Sequence, residues 1–146
     1  MAYSMDASLL HAIHRAAQAA TDVFARDSKT DCTARQMVVL AAIAENTGLN
    51  QTNIVERTGI DRSTLADIVR RLQKKGLVTR QRTKQDARAV AVSLTTAGAA
   101  QLRLAAEQAS RAEKRLVAGL TEKQRSDLLK LLQAVATAGE KKADQR

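Results

Sequence analysis

Aromatic residues, proline and glycine are scarce in this sequence. Tyr3 and Phe24 are the only aromatic residues among 146, proline is absent, and glycine occurs six times. A hydrophobic core must therefore be aliphatic and rich in alanine, which buries little apolar area per residue. A small monomer with such a core would be marginally stable, so the composition favours oligomerisation. The lack of proline and the few glycines also favour a mostly helical protein.

Cysteine is rare, and export signals and long apolar runs are missing. The single Cys32 excludes an intramolecular disulfide and is consistent with a reducing compartment. The N-terminal residues MAYSMDASLL contain neither the basic nor the apolar region of an export signal. No apolar run approaches the length of a transmembrane helix. We therefore expect a soluble, cytoplasmic protein with no membrane partner.

The signatures of common enzyme classes are also absent. The sequence contains no P-loop, no dinucleotide-binding fingerprint and no nucleophile–base arrangement. His11 and His14 are three residues apart on one predicted helix, but zinc-type partners are not evident. The sequence predicts that the protein is not an enzyme and that it holds no metal ion and no cofactor.

Positive charge is concentrated in one segment of the chain. The net charge is +9, and residues 61–88 contribute nine basic and three acidic side chains, a net of +6. A surface that is charged only for solubility would spread this excess more evenly. A localised basic field is typical of a protein that binds a polyanion such as a nucleic acid.

Apolar spacing predicts six helices and one β-hairpin, with the hairpin between the fourth and fifth helices. The first helix is expected over about 6–26, with an apolar stripe of Leu10, Ile13, Ala17, Ala20 and Phe24. Thr33 can cap a second helix that extends to about Asn46. Its predicted inward residues are Met37, Leu40, Ala41 and Ala44. Asn50 can cap a short third helix that ends near Gly59.

The third and fourth predicted helices have the spacing of a helix-turn-helix. Asp61 can cap the fourth helix, which extends to about Lys75 and buries Leu65, Ile68, Val69 and Leu72. The opposite face carries Ser63, Asp67, Arg70 and Lys74, with Thr64 and Arg71 on its flanks. Hydroxyl groups and arginines of this kind can reach base edges or phosphates in a major groove. An ordinary amphipathic helix with a solvated charged face is the alternative that this pattern alone leaves open.

Two β-prone runs follow directly, at 77–82 and 89–95. The second run alternates apolar residues as a half-buried strand does, at Val90, Val92 and Leu94. The runs predict a hairpin with the segment TKQDAR at its tip, which makes the helix-turn-helix a winged one. Such a tip would meet phosphates or the minor groove. Asp86 could hold Arg88 in one orientation there, although spacing alone favours an ordinary surface ion pair.

The two C-terminal helices are expected to pack against another helix. Thr95 can cap the fifth helix, over about 96–117, and Thr121 with Gln124 can form a capping box for the sixth. The fifth helix has a heptad-like seam of Leu102, Ala105, Ala109, Ala112 and Leu116. The sixth helix carries an apolar stripe of Leu128, Leu131, Leu132 and Val135.

The ordered motifs resemble those of the MarR (multiple antibiotic resistance regulator) family of winged helix-turn-helix repressors over nearly the whole chain. The resemblance is carried by TARQMVVLAAI, by GLNQTNIVERTGIDRSTLADIVRRLQKKGLVTRQ and by DARAVAVSLTTAG. It implies a mainly α fold with a small β-hairpin wing. The winged helix-turn-helix lobe would occupy 31–95, between a dimerisation helix at 1–30 and C-terminal dimerisation helices at 96–146. It also implies a homodimer, a pseudo-palindromic operator in double-stranded DNA and, commonly, release by a small aromatic or phenolic ligand.

The resemblance places DNA contacts on the recognition helix, at the start of the supporting helix and on the wing, with Arg88 as the expected minor-groove residue. Together with the other basic residues of these elements, the predicted DNA-binding residues are Gln51, Thr52, Arg62, Ser63, Thr64, Asp67, Arg70, Arg71, Lys74, Arg82, Lys84, Asp86 and Arg88. Asp67 is unexpected in this set because a carboxylate repels phosphates. It could accept a hydrogen bond from cytosine N4, or it could pair with Arg70 or Arg71 one turn further on.

The family's effector pocket lies between the dimerisation helices and the DNA-binding lobe. Candidate effector-binding residues are His11, His14, Arg15, Cys32 and Arg35, because a cation there could pair with a ligand carboxylate. The histidines could instead lie at an interface or in solvent. Since the chain offers few aromatic side chains for stacking, an acyl compound deserves the same weight as an aromatic or phenolic acid. Cys32 precedes a predicted helix, where it could be a reactive thiolate or a small buried residue.

These observations lead to a dimeric, ligand-responsive transcriptional repressor. A sequence-independent architectural DNA-binding protein would share the charge, but it should bind random and promoter DNA equally. A thiol-based redox-sensing regulator that acts through Cys32 is a further alternative.

Overall fold

A computed structural model describes residues 4–26, 29–46, 48–82 and 90–143, with side chains up to residue 139. The described part contains six helices and two strands, in the predicted order. The elements are α1 (Leu9–Arg26), α2 (Ala34–Glu45), α3 (Gln51–Thr58), α4 (Arg62–Lys74), β1 (Val78–Arg82), β2 (Val90–Leu94), α5 (Thr96–Leu116) and α6 (Glu122–Ala143). The predicted fold class, mainly α with a small β-hairpin, is confirmed.

Short polar side chains begin the helices where the sequence predicts them. Thr33 and Asn50 each form a capping box, in which the cap side chain and the side chain three residues later exchange hydrogen bonds with each other's backbone amides. Thr121 exchanges the same pair of bonds with Gln124, at 3.3 and 2.8 Å. The start of α1 differs from the prediction, because the amide of His11 donates to Ser8 Oγ and the helix begins only at Leu9.

The core surrounds α2, which contacts α3, α4 and β2 as well as α5. The buried residues of this helix include Val39, Leu40 and Ile43. The prediction that Ala44 faces inward is wrong, since Ala44 is exposed. A single stripe was expected, but a helix that packs against elements on several sides buries more of its circumference than one stripe.

The two strands form an antiparallel hairpin in which Val78 pairs with Leu94 and Arg82 with Val90. Val92, at the centre of β2, is fully buried, and its amide donates to the carbonyl of Leu49 at 2.9 Å. This bond attaches the middle of β2 to the segment before α3. The hairpin is therefore held against the helix-turn-helix through β2.

A close backbone contact joins the start of α5 to the end of the helix-turn-helix. The Thr95 hydroxyl donates to the carbonyl of Gly76 at 2.7 Å, and the Thr95 amide donates to the carbonyl of Leu77 at 3.1 Å. Gly98 is buried one turn into α5, and a Cβ atom at this position would lie 1.9 Å from the Leu77 carbonyl oxygen. Only glycine lets the two backbones approach this closely.

Apolar side chains remain exposed on α1 and α6 of the single chain. Leu10 is 63% exposed and Leu131 is 65% exposed, where a core residue would be nearly inaccessible. Within the described residues, no other helix or strand packs extensively against α6. None of the described helices has the combination of length and hydrophobicity that crossing a bilayer requires. These faces are therefore apolar surfaces that the other described residues do not cover.

Candidate nucleic-acid interface

The fourth helix has one face fixed in the core and the other in solvent. Leu65, Ile68, Val69 and Leu72 are buried, as predicted. The basic side chains all lie on the exposed side, at Arg62, Arg70, Arg71 and Lys74. Because four buried side chains anchor the helix, its charged face is held in one orientation relative to the rest of the lobe. We refer to α4 as the recognition helix.

The turn before the recognition helix is built from local hydrogen bonds. Gly59 ends α3 in the left-handed conformation, with φ of 65°. Asp61 then caps the next helix by accepting from the Thr64 amide at 2.9 Å and from the Ser63 hydroxyl at 2.7 Å. The bonds from Thr64 and Ser63 lower the pKa of Asp61 well below its usual range, so this carboxylate stays charged at the positive end of the helix.

Asp67 pairs with both of the arginines that follow it by one turn. One carboxylate oxygen contacts Arg70 Nη2, and the other lies 2.7 Å from Arg71 Nε. The hydrogen bond from Arg70 is the main reason why the pKa of Asp67 is lowered. The sequence predicts that Asp67 either accepts from cytosine N4 or pairs with an arginine one turn further on. The structure shows the pairing.

The strand that leads into the wing carries further basic side chains. Arg82 is exposed at the end of β1, where a wing residue is expected. Arg80 is exposed on the same face of the strand, because the two residues are separated by one position. Arg80 is absent from the predicted contacts, although its alternation with Arg82 along the strand indicates it. Lys84, Asp86 and Arg88 lie outside the described residues.

The two residues predicted at the start of the supporting helix differ in accessibility. Thr52 is exposed, while Gln51 is half-buried. The Gln51 amide nitrogen is buried and has no hydrogen-bond partner among the described residues. In this arrangement Thr52 can face a phosphate, whereas Gln51 presents its amide nitrogen to the protein interior.

The candidate effector residues lie on α1 and at the start of α2. His14 and Arg15 are exposed on α1, and His11 is half-buried there. Arg35 instead lines an open groove of about 400 Å³ beside Val38 and the turn at 58–61. The structure therefore does not bring Arg35 together with the α1 cations in this groove. Among the described residues, no three His, Cys, Asp or Glu side chains are grouped as metal ligands would be.

Cys32 is buried in the core, with 4% of its surface exposed. Burial raises the pKa of its thiol, and the nearby positive charge of Lys75 offsets this effect only in part. A buried thiol with a raised pKa forms little thiolate at neutral pH. This environment fits the structural interpretation of Cys32 better than the redox one.

Together these features define a winged helix-turn-helix protein with a basic surface on its recognition helix and hairpin. The family model described as MarR family matches residues 32–90. The HTH-type transcriptional repressor NicR of Pseudomonas putida is 31% identical over 101 residues, which are 68% of this chain and 64% of NicR. The matched region spans about half to two thirds of the length of such curated relatives.

Solved structures match over nearly the whole chain. The PcaV transcriptional regulator from Streptomyces coelicolor, in complex with its natural ligand, has a TM-score of 0.89 at 29% identity, over 95% of this chain and 99% of PcaV. The transcriptional repressor CouR bound to a 23-mer DNA duplex has a TM-score of 0.83 at 30% identity, over 93% of this chain and 99% of CouR. The chain therefore belongs to the MarR family of transcriptional regulators, which are DNA-binding proteins and not enzymes.

Proposed function

We propose that this protein is a homodimeric repressor that binds a pseudo-palindromic operator and responds to a small anionic effector. The observation that carries the proposal is the recognition helix, whose buried face is locked in the core and whose exposed face is basic. A helix held in this way can enter a major groove without reordering the lobe that carries it. The complex of CouR with a DNA duplex supports the same use of the fold.

Each part of the basic surface has a distinct role in this proposal. Arg70 and Arg71 read base edges, since a guanidinium can fork onto N7 and O6 of guanine. The remaining contacts on the helices come from Gln51, Thr52, Arg62, Ser63, Thr64 and Lys74. On the wing, Arg82 and Lys84 contact phosphates. Arg88, oriented by Asp86, enters the minor groove. Of these, Gln51 must turn its amide nitrogen outward to contribute.

The proposed dimer buries the apolar faces that the single chain leaves exposed. Residues 1–30 and 96–146 would form the dimerisation part, and residues 31–95 the DNA-binding lobe. The exposed leucines of α1 and α6 supply the apolar area that a stable interface needs. A twofold dimer would place the two recognition helices in successive major grooves, with half-sites about one helical turn apart.

The proposed effector is a small carboxylate that binds near the dimerisation helices. Arg15, His11 and His14 lie on one exposed to half-buried surface of α1, where a cation can pair with an acid. The complex of PcaV with its natural ligand supports a ligand-responsive fold. An aromatic or phenolic acid and an acyl compound both satisfy this chemistry. The buried position of Cys32 argues against thiol-based sensing as the signal.

Selection of bound sequences from a pool of genomic fragments tests the proposed function. We expect enrichment of a sequence with twofold symmetry, and a footprint that shows the same symmetry. In a competition titration the selected site should outcompete random duplex by about a thousandfold or more. Equal affinity for selected and random DNA would indicate an architectural DNA-binding protein instead. Genes beside the selected sites would then indicate the effector pathway.

Replacing Arg88 by alanine tests the role of the wing. The change removes a guanidinium from a minor groove whose negative potential attracts it, so operator affinity should fall roughly tenfold. The dependence of log affinity on log salt should become shallower by about 0.9 for each lost contact. Arg125→Ala on α6 removes the same charge away from the wing and should leave operator affinity within about twofold. An Arg88→Ala protein that binds like the Arg125→Ala protein would remove the wing from the mechanism.

A further inference from the structure

An acidic residue lies in the middle of a surface that is proposed to meet the phosphates of DNA. Asp67 is flanked along the recognition helix by basic side chains, and it is the acidic residue that shares their exposed face. A carboxylate there repels DNA. Exposed ion pairs contribute little to folding stability, so stability gives no adequate reason for its presence. The geometry of its contacts suggests another reason.

Each oxygen of Asp67 holds a different arginine. Oδ1 accepts from Arg70 Nη2, and Oδ2 accepts from Arg71 Nε at 2.7 Å. The arginine side chains are largely exposed, at 74% for Arg70 and 65% for Arg71, so packing does not fix their positions. Without the carboxylate, both long side chains would sample many rotamers and could extend to any nearby phosphate.

When Arg70 and Arg71 pair with Asp67, they still have free guanidinium nitrogens that can bond to bases. Arg71 bonds Asp67 through Nε, so both of its terminal nitrogens can form two parallel hydrogen bonds to N7 and O6 of a guanine. Arg70 is held through one terminal nitrogen and is drawn back along the helix toward Asp67. The lowered pKa of Asp67, caused mainly by the hydrogen bond from Arg70, keeps the carboxylate charged at neutral pH.

We propose that Asp67 is a specificity-determining positioning residue, which holds Arg70 and Arg71 on the base-reading face of the recognition helix and withholds them from phosphates. The proposal rests on the proposed function, since it assigns a role within operator recognition. Non-specific binding is almost entirely electrostatic, so a fixed negative charge and two restrained arginines weaken it. Operator binding keeps the base contacts that the restrained arginines make. The ratio of operator affinity to random-DNA affinity therefore rises.

The test measures the affinity of Asp67→Asn for the selected operator and for random duplex. We expect random-DNA binding to tighten about tenfold, because each dimer loses two negative charges and releases four arginines. Operator affinity should change by no more than about twofold, because the relief of repulsion is offset by the loss of positioned arginines at the bases, so the ratio falls about tenfold. The salt dependence of random-DNA binding should also steepen, by about 0.9 for each new phosphate contact. Asp67→Glu retains the charge and should recover most of the ratio.

Asp127→Asn is the matched control. Asp127 pairs with Lys123 on α6, at 2.6 Å, and its replacement changes the net charge by the same amount. We expect this protein to keep the wild-type ratio within about twofold. Asp67 is partly exposed, so the thermal unfolding of Asp67→Asn should resemble that of the wild type. If Asp67→Asn binds operator and random DNA more tightly by the same factor, Asp67 acts only through its charge, and the proposal would be overturned.

A second set of variants separates positioning from direct reading of a base. In an Arg70→Ala/Arg71→Ala protein, adding Asp67→Asn should leave the base preferences unchanged, because the side chains that Asp67 positions are gone. A further loss of preference at one base pair would show that Asp67 reads that base itself, and would overturn the proposal. A wild type without sequence preference would overturn the proposed function as well. If the wild type prefers the operator and Asp67→Asn has the same ratio of operator affinity to random-DNA affinity, this inference alone would be overturned.

Discussion

Replacing Gly98 by alanine is expected to lower the free energy of unfolding by about 3 kcal/mol, the upper part of the range for overpacking. The new Cβ would lie 1.9 Å from the carbonyl oxygen of Leu77, which is a backbone atom and cannot rotate away. Relief requires α5 to move from the end of the helix-turn-helix. That movement lengthens the bonds from Thr95 to the carbonyls of Gly76 and Leu77. The midpoint of urea unfolding, with its slope unchanged, measures the effect.

Gly119→Ala is the control for this prediction. Gly119 lies between α5 and α6, its φ is not positive, and a Cβ atom there would have no neighbour within 4 Å. Alanine restricts the unfolded chain more than glycine does, so this change should raise the stability by roughly 0.4–1 kcal/mol. A Gly98→Ala protein within about 0.5 kcal/mol of the wild type would contradict the close contact between α5 and Leu77.

Replacing Leu132 by glutamate is expected to dissociate the proposed dimer and to weaken operator binding by at least about a hundredfold. Leu132 is 44% exposed on the apolar stripe of α6, and a charged group buried in the dimer interface would be strongly unfavourable. A monomer engages one half-site and loses the gain in affinity that two linked half-sites provide. Sedimentation equilibrium measures the subunit association, and an operator titration measures the binding.

Gln133→Glu adds the same charge at an exposed position beside Leu132 and on the opposite side of the helix from the stripe. This control should remain dimeric and keep its operator affinity. The unfolding midpoint of Leu132→Glu should also fall on dilution. Over the same range of protein concentration, the unfolding midpoint of Gln133→Glu should stay constant. A Leu132→Glu protein that sediments as a dimer would remove this stripe from the interface.

Local sequence signals predicted the elements of the fold closely. Thr33, Asn50, Asp61, Thr95 and Thr121 each begin a helix as predicted, because a cap depends on hydrogen bonds within three residues. The buried face of the recognition helix was also predicted correctly, since one amphipathic stripe meets one side of the core. These are interactions between residues that are near one another in the chain.

Predictions that depended on distant residues were less complete. Ala44 was expected to face inward, yet the contacts of α2 with elements on several sides decide which of its residues are buried. The grouping of Arg35 with the α1 cations stays a prediction, and the structure adds that Arg35 lines the groove at the turn before the recognition helix. The pairing of Asp67 with both arginines, rather than one, depends on the side-chain geometry of the folded helix. Spacing along the sequence allowed either arginine and did not select both.

The sequence by itself determined where five of the six helices begin, which runs form the strands of the hairpin, and where the positive charge lies. Those properties arise from capping, apolar periodicity and composition, which act within a few residues. Only the tertiary structure decided that Gly98 lies against the Leu77 carbonyl, that Cys32 is buried, and that the leucines of α6 stay exposed in the single chain. Each of these depends on packing between segments that are far apart in the chain, and packing is set by the whole fold rather than by any local pattern.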